Sequence, residues 1–281
     1  MRLKSEWMEF PSGDTTCLAY RSRPEPARAA LPAVVLVQEI WGVEDFIQDM
    51  THRLATAGYL AFAPDLYSLG GGRPAELAPE RVAAVKAFLD TVPPGAWWDE
   101  AARNAALAAL PAEEREPLAA SLGALLGPRD ADGLVAVLRD AVHLLRADPQ
   151  STGRVGSVGW CNGGGLNGRL ACAEPEVSAA VIFYGASPPA ESLTGAACPV
   201  LGLYGGEDPR ITDTVPAFAA GMTAAGKQYE WHVYPGAQHA FFNDTRAAYD
   251  VDAARDAGAR LLTFFARHLA DVARESGSTP G

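Results

Sequence analysis

Residues Val155–Leu166 read VGSVGWCNGGGL. An apolar run ends there on a cysteine with glycines on both sides. A thiol packed in a core needs no such backbone freedom. A thiol on a sharp strand-to-helix turn does, because the turn brings the two backbones together and leaves no room for a Cβ. Gly159, Trp160, Cys161, Asn162 and Gly163 give the spacing G-x-C-x-G, with sulfur where a nucleophilic hydroxyl would otherwise stand. The helix predicted after Cys161 turns its positive end toward the sulfur, which favours thiolate. Backbone N–H groups at that end suit a developing oxyanion. A phosphate-cradling loop is the rival reading, but the stretch lacks the closing Gly-Lys-Ser/Thr. Cys17, Cys172 and Cys198 sit in apolar strands or helices and read as buried structural thiols.

A nucleophile on such a turn needs an acid and then a histidine downstream, in that chain order. PVLGLYGGEDPR is an apolar strand that ends in Gly-Gly-Glu-Asp, placing Asp208 on a loop at the strand's C-terminal end, where sites of open α/β sheets gather. WHVYPGAQHAFF is a strand, a turn, and then His239 on a loop. Of the five histidines, His52, His143 and His268 fall within helices and His232 lies mid-strand. His239 is thus the candidate base, and Asp208 the residue that would fix its tautomer. Glu207, next to Asp208, leaves a solvated-acid reading open for that pair.

Outward from this core the pattern is consistent. LKSEWMEF and TTCLAYRS alternate like strands around the turn PSGD, and the Pro/Ala-rich RPEPARAALP follows as a linker. AVVLVQE is a continuous apolar strand of the kind buried on both faces. EDFIQDMTHRLATAG carries helical spacing and ends at Gly58, and YLAFAPDLY is the next strand. From about 75 to 126 the chain reads as helical pieces broken by VPPG, Pro111 and Pro117. Strand and helix then alternate to the closing helix over TRAAYDVDAARDAGARLLTFFARHLADVA, with SGSTPG as a frayed tail. The alternation predicts an α/β fold: a mostly parallel sheet with helices on both faces and the initial hairpin as an antiparallel edge. No repeat and no second core is seen, so residues 1–281 read as one domain, with a helical insertion or lid over about 75–130.

The 281 residues can bury a sizeable core. A formal charge of -11 opposes nucleic-acid binding. The N-terminus lacks a continuous apolar segment, and no run is long enough to span a bilayer. With four cysteines lacking metal-type spacing, these features lead us to expect a cytoplasmic protein with reduced thiols, no membrane partner and no metal.

Taken together, AVVLVQEIWG, YLAFAPDLY, GSVGWCNGGG, LGLYGGEDP and YPGAQHAFFND resemble the dienelactone hydrolase family of α/β-hydrolases over nearly the whole chain. The resemblance implies an α/β-hydrolase fold and a cofactor-free, metal-free hydrolysis of a small carboxylic ester or lactone. The route it implies is a Cys161–His239–Asp208 triad and a thioacyl-enzyme, in a monomer or homodimer. It further implies that Glu39, in QEIWG, pairs with the cysteine at rest and takes the thiol proton when substrate binds. A carboxylate ending an apolar strand is unusual in itself, because a buried charge needs a partner. The N–H groups of Ile40 and Asn162 would form the oxyanion hole.

Relatives acting on dienelactone hold the substrate carboxylate with two arginines. Arg81 or Arg73 would fill the first place. At the second this chain has Asn243, with Arg246 shortly after. Trp41 and Trp160 flank the site in sequence and are candidate pocket walls, and Trp97 and Trp98 could line an acyl pocket if the insertion is a lid. A thioesterase or general carboxylesterase is the alternative within the class. A non-catalytic binding module on the same fold is the alternative outside it, opposed by the intact set Cys161, Asp208, His239 and Glu39. A thiol redox sensor has no evident resolving cysteine.

Overall fold

The computed structural model describes residues 2–93 and 99–270. Trp97, Trp98 and the tail SGSTPG lie outside the described residues. The strands are β1 (Arg2–Ser12), β2 (Thr15–Glu25), β3 (Leu31–Val37), β4 (Leu60–Pro64), β5 (Ser151–Trp160), β6 (Val177–Phe183), β7 (Val200–Gly205) and β8 (Tyr229–Tyr234). They form one sheet in the order β1-β2-β4-β3-β5-β6-β7-β8. The β1–β2 and β2–β4 pairings are antiparallel and the rest parallel. The hairpin pairs Ser12 with Thr15 across Gly13 and Asp14, and Gly13 takes the left-handed φ of 54° that the tight turn requires. The hairpin and β3 take up half of the expected Pro/Ala linker, leaving residues 26–30 between strands.

The helices are α1 (Asp45–Thr56), α2 (Pro79–Thr91), α3 (Glu100–Ala108), α4 (Ala112–Leu126), α5 (Ala131–Ala147), α6 (Asn162–Ala173), α7 (Pro209–Thr212), α8 (Val215–Ala224) and α9 (Val251–Leu269). Alternation along β3 shows why both faces of the sheet are covered. Ala33, Val35 and Val37 join Leu138, Leu145, Leu170 and Phe218 of α5, α6 and α8 in one apolar cluster. Val34 and Leu36 join Phe46, Leu54, Leu261 and Phe265 of α1 and α9 in a second. Helix α9 starts six residues later than the apolar spacing suggests, because Asp250 caps it by accepting from the N–H groups of Asp252 and Ala253.

The insertion packs onto the body of the domain through a third apolar cluster. Leu77, Val82, Val85, Phe88, Leu89, Leu107, Leu122 and Leu125 pack with Trp41 and Tyr67, and Ile40 lies against them. Of the proline breaks expected there, VPPG runs into residues outside the described ones. Pro111 caps α4, but Pro117 is carried inside it. Among the described residues no helix is long and apolar enough to cross a membrane.

Candidate active site

The glycines around Cys161 are explained by backbone contact. A Cβ on Gly159 would lie 2.1 Å from the Gly163 carbonyl oxygen, and one on Gly163 would lie 2.2 Å from that of Gln38 and 2.3 Å from that of Val37. One on Gly164 would meet the Phe183 oxygen at 2.7 Å. Helix α6 is therefore seated directly on the ends of β3 and β6, and the residue joining β5 to α6 is forced into an unusual conformation: Cys161 has φ 56° and ψ -120°. Its N–H donates to the Phe183 carbonyl at 3.0 Å, and its own carbonyl accepts from Gly165 N. The thiol is free and half-buried.

Cys161, Tyr184 and Ala240 are the non-glycine residues with positive φ among those described, at 56°, 36° and 65°. All three belong to this site: Tyr184 follows the end of β6, whose Phe183 carbonyl accepts from Cys161, and Ala240 follows His239. Such conformations cost on the order of 1–3 kcal/mol each and persist where surrounding structure over-determines them.

His239 Nδ1 lies 2.5 Å from Asp208 Oδ2. The loops that carry the two are stitched together: Gly206 N donates to Tyr234 O at 2.8 Å and Glu207 N to Ala237 O at 2.9 Å. A Cβ on Gly205 would strike the carbonyls of Ala237 and Gln238 at 2.6 Å, so a glycine there permits this approach. Asp208 is buried and Glu207 is exposed, which separates the two adjacent acids. Burial pushes the His239 imidazole down, but the charge on the Cys161 sulfur and hydrogen bonds with Asp208 and Cys161 outweigh it and raise it to about 10.

Glu39, just past the end of β3, is almost wholly buried. Its Oε2 accepts from Asn243 Nδ2 at 2.7 Å and its Oε1 from the Tyr184 hydroxyl at 3.3 Å. Burial raises its carboxyl to about 7, against the lowering pull of the Asn243 hydrogen bond. The carboxylate is held by Asn243 and Tyr184, and the sulfur interacts with His239. Asn243, expected only as a missing arginine, is fully buried and grips Glu39.

Tyr184 was not singled out in the sequence. It packs its ring 5.1 Å from that of His239. Its position as the last aromatic of VIFYG, before a glycine at a strand end, is the signal that could have marked it. Tyr67 is a second such residue. Its hydroxyl donates to the Ile40 carbonyl at 2.7 Å, fixing the peptide next to the expected oxyanion donor.

The expected substrate-binding residues fare differently. Trp160 is a correction. It is fully buried, stacked on Phe183 at 5.6 Å and edge-on to Phe46, so it is core and not pocket wall. It shares a face with Val158, two residues back on β5, and the alternation carries it under the sheet. Arg81 is also redirected. Its Nε donates to Ser121 Oγ at 3.1 Å and its guanidinium to the Pro117 carbonyl, tying α2 to α4. Arg73 is paired with Asp65 at 2.6 Å. Arg246 donates to Asp90 of α2 at 2.8 Å and lies over the Trp41 ring, with Lys86 at 5.7 Å from the same ring. Trp41 also walls a cleft of about 770 Å³ together with Trp7, Val82 and Lys86.

Away from the site, His143, Glu174 and Glu176 bring three ligand atoms within 4.8 Å of one another. Arg139 and Arg146 already neutralise the two carboxylates, at 3.1 and 2.9 Å.

A mostly parallel sheet of this order, with a cysteine on the turn after β5 and an acid–histidine pair on the loops after β7 and β8, defines the α/β-hydrolase class. Within it, the chain belongs to the dienelactone hydrolase family, whose model matches residues 18–269. It is 33% identical over 261 residues to a Saccharolobus solfataricus protein named "Putative carboxymethylenebutenolidase", covering 92% of this chain and 96% of that one. An Escherichia coli K12 protein of the same name is 30% identical, with 92% and 85% covered. The crystal structure of a "Putative Dienelactone Hydrolase" from Klebsiella pneumoniae superposes with a TM-score of 0.73 at 28% identity, covering 95% of this chain and all of that one. The protein is a carboxylic ester or lactone hydrolase.

Proposed function

We propose that the protein cleaves a small ester or lactone through Cys161. The Sγ attacks the acyl carbonyl, and the oxyanion is received by the N–H groups of Ile40 and Asn162. Asn162 opens α6, so its N–H has no acceptor within the helix. The Cys161 N–H is spent on Phe183 and cannot serve. As the C–O bond breaks, His239 gives its proton to the leaving oxygen. It then takes one from water, which attacks the thioester and releases the acid and the sulfur. Asp208 holds Nδ1 throughout, leaving Nε2 for these transfers. One observation carries this reading: the 2.5 Å contact between His239 Nδ1 and Asp208, with the sulfur acting on the same ring.

The relatives' names point to a butenolide bearing a carboxylate. Here Arg73, Arg81 and Arg246 are each engaged by protein partners, and a neutral amide occupies position 243. An uncharged ester or lactone fits these surroundings better. The test is turnover of p-nitrophenyl acetate and a panel of neutral lactones by the parent and Cys161→Ala, with mass spectrometry of the Cys161 peptide after rapid quenching. The reading expects activity in the parent, an acyl adduct on that peptide, and loss of both in the variant. Full turnover by Cys161→Ala would overturn it.

A further inference from the structure

The mechanism above leaves a buried carboxylate, Glu39, without an assigned task, and its surroundings are fully hydrogen-bonded. Asn243 is fully buried, and its side chain can be oriented in only one way. Its Oδ1 accepts both the N–H of Thr245, at 3.0 Å, and the Thr245 hydroxyl, at 2.7 Å. With the oxygen so committed, the NH2 group must point at Glu39 Oε2, 2.7 Å away. The other groups that act on Glu39 come from every side: Tyr184 from β6, Glu44 from the start of α1, Lys86 from α2 and His239 from the loop after β8. Of these, His239 and Tyr184 also feel the Cys161 sulfur, and His239 alone of the two carries a proton that the sulfur can hold.

The geometry points to Asn243 as a positioning residue: its amide, locked by Thr245, holds Glu39 as an oriented carboxylate whose charge steadies the His239 imidazolium beside Cys161. The physical chain is short. A neutral donor is the strongest aid that a buried carboxylate can receive without a counter-charge, because it favours the ionised form over the protonated one. An ionised Glu39 attracts the proton-bearing imidazole. An imidazolium in turn keeps the sulfur anionic and ready to attack. An arginine at 243 would bring its own charge and cancel that of Glu39. The amide orients the carboxylate and leaves its charge to act on His239.

The inference rests on the hydrolase reading, and the experiment separates the two. The rate kcat/KM on p-nitrophenyl acetate and the rate of iodoacetamide labelling of the Cys161 peptide are each followed from pH 5 to pH 9. The variants are Asn243→Ala, Thr245→Val, Glu39→Gln and the Glu39→Gln/Asn243→Ala pair. Removing the amide donor should move the rising acidic limb of both profiles upward by about one pH unit, with KM little changed. Thr245→Val should move it the same way by less, and decides the matter if Asn243→Ala does not fold. In the Glu39→Gln background Asn243→Ala should move nothing. A uniform fall in rate with an unmoved limb would overturn the inference, as would a shift that persists without Glu39. So would a parent-like profile in Glu39→Gln, and in that case the hydrolase reading would still stand. Full turnover by Cys161→Ala would instead remove the hydrolase reading.

Discussion

His239 Nδ1 and Asp208 Oδ2 are 2.5 Å apart, on loops that β7 and β8 present at the same end of the sheet. The contact fixes which imidazole nitrogen faces the sulfur. Asp208→Asn would keep the shape but favour the wrong tautomer. We expect kcat to fall by about 10³-fold or more with stability nearly unchanged. Stopped-flow turnover of p-nitrophenyl acetate measures the first, and thermal unfolding the second.

Cys161 and Asp208 outweigh the effect of burial and raise the His239 imidazole to about 10. A group raised above its ordinary value of 6.5 adds stability that is fully present below that value and is lost as pH rises through about 10. Parent and His239→Gln should therefore differ most in unfolding free energy below pH 6.5 and converge above pH 10. Cys161→Ala removes the charge that holds the proton, so the His239 NMR titration should move to lower pH. An unmoved midpoint would assign the effect to Asp208 alone.

Gly163 is where α6 touches β3. Gly163→Ala would drive a Cβ into the carbonyls of Gln38 and Val37, both backbone and unable to yield cheaply. We expect a loss of about 3 kcal/mol in denaturant unfolding. Activity should fall further than stability, because the displaced strand end leads straight to Glu39 and Ile40.

Selectivity should follow charge. With the arginines near the site engaged and Asn243 neutral, a neutral enol lactone should exceed its carboxylate-bearing analogue in kcat/KM by about tenfold, equivalent to roughly 1.4 kcal/mol. Asp90→Ala releases Arg246 from its partner on α2, and should narrow that gap while costing about 1 kcal/mol or less in stability. Equal rates on both substrates in the parent would refute the charge argument.

Much of this was legible in the residues because two signals are local. The G-x-C-x-G spacing demands a close turn, and the order cysteine, acid, histidine follows from which strand ends lie together. The roles of Trp160 and Asn243 were not legible in the same way. Trp160 adjoins Cys161 in sequence, but a turn intervenes, and strand alternation sends the indole into the core with Val158. Asn243 stands four residues after His239 and contacts a residue 204 positions away. No spacing rule reports such a contact, because it depends on how the last loop folds over the β3 end. The partners of Arg81, Ser121 and the Pro117 carbonyl, are hidden for a related reason. Arginines in a helical insertion are as readily consumed by a neighbouring helix as by a ligand.

Helices α2, α3 and α4 share their apolar contacts with Ile40, Trp41 and Tyr67, whereas Cys161 stands between β5 and α6. The two halves of the reaction centre therefore have different capacities to vary. Exchanging this helical layer to admit a bulkier acyl chain would drag with it Ile40, whose N–H we propose receives the oxyanion, and leave the sulfur where it is. A transplant that carries residues 39–42 together with 67–126 as one cassette is the smallest exchange that changes what enters without spoiling how it is received.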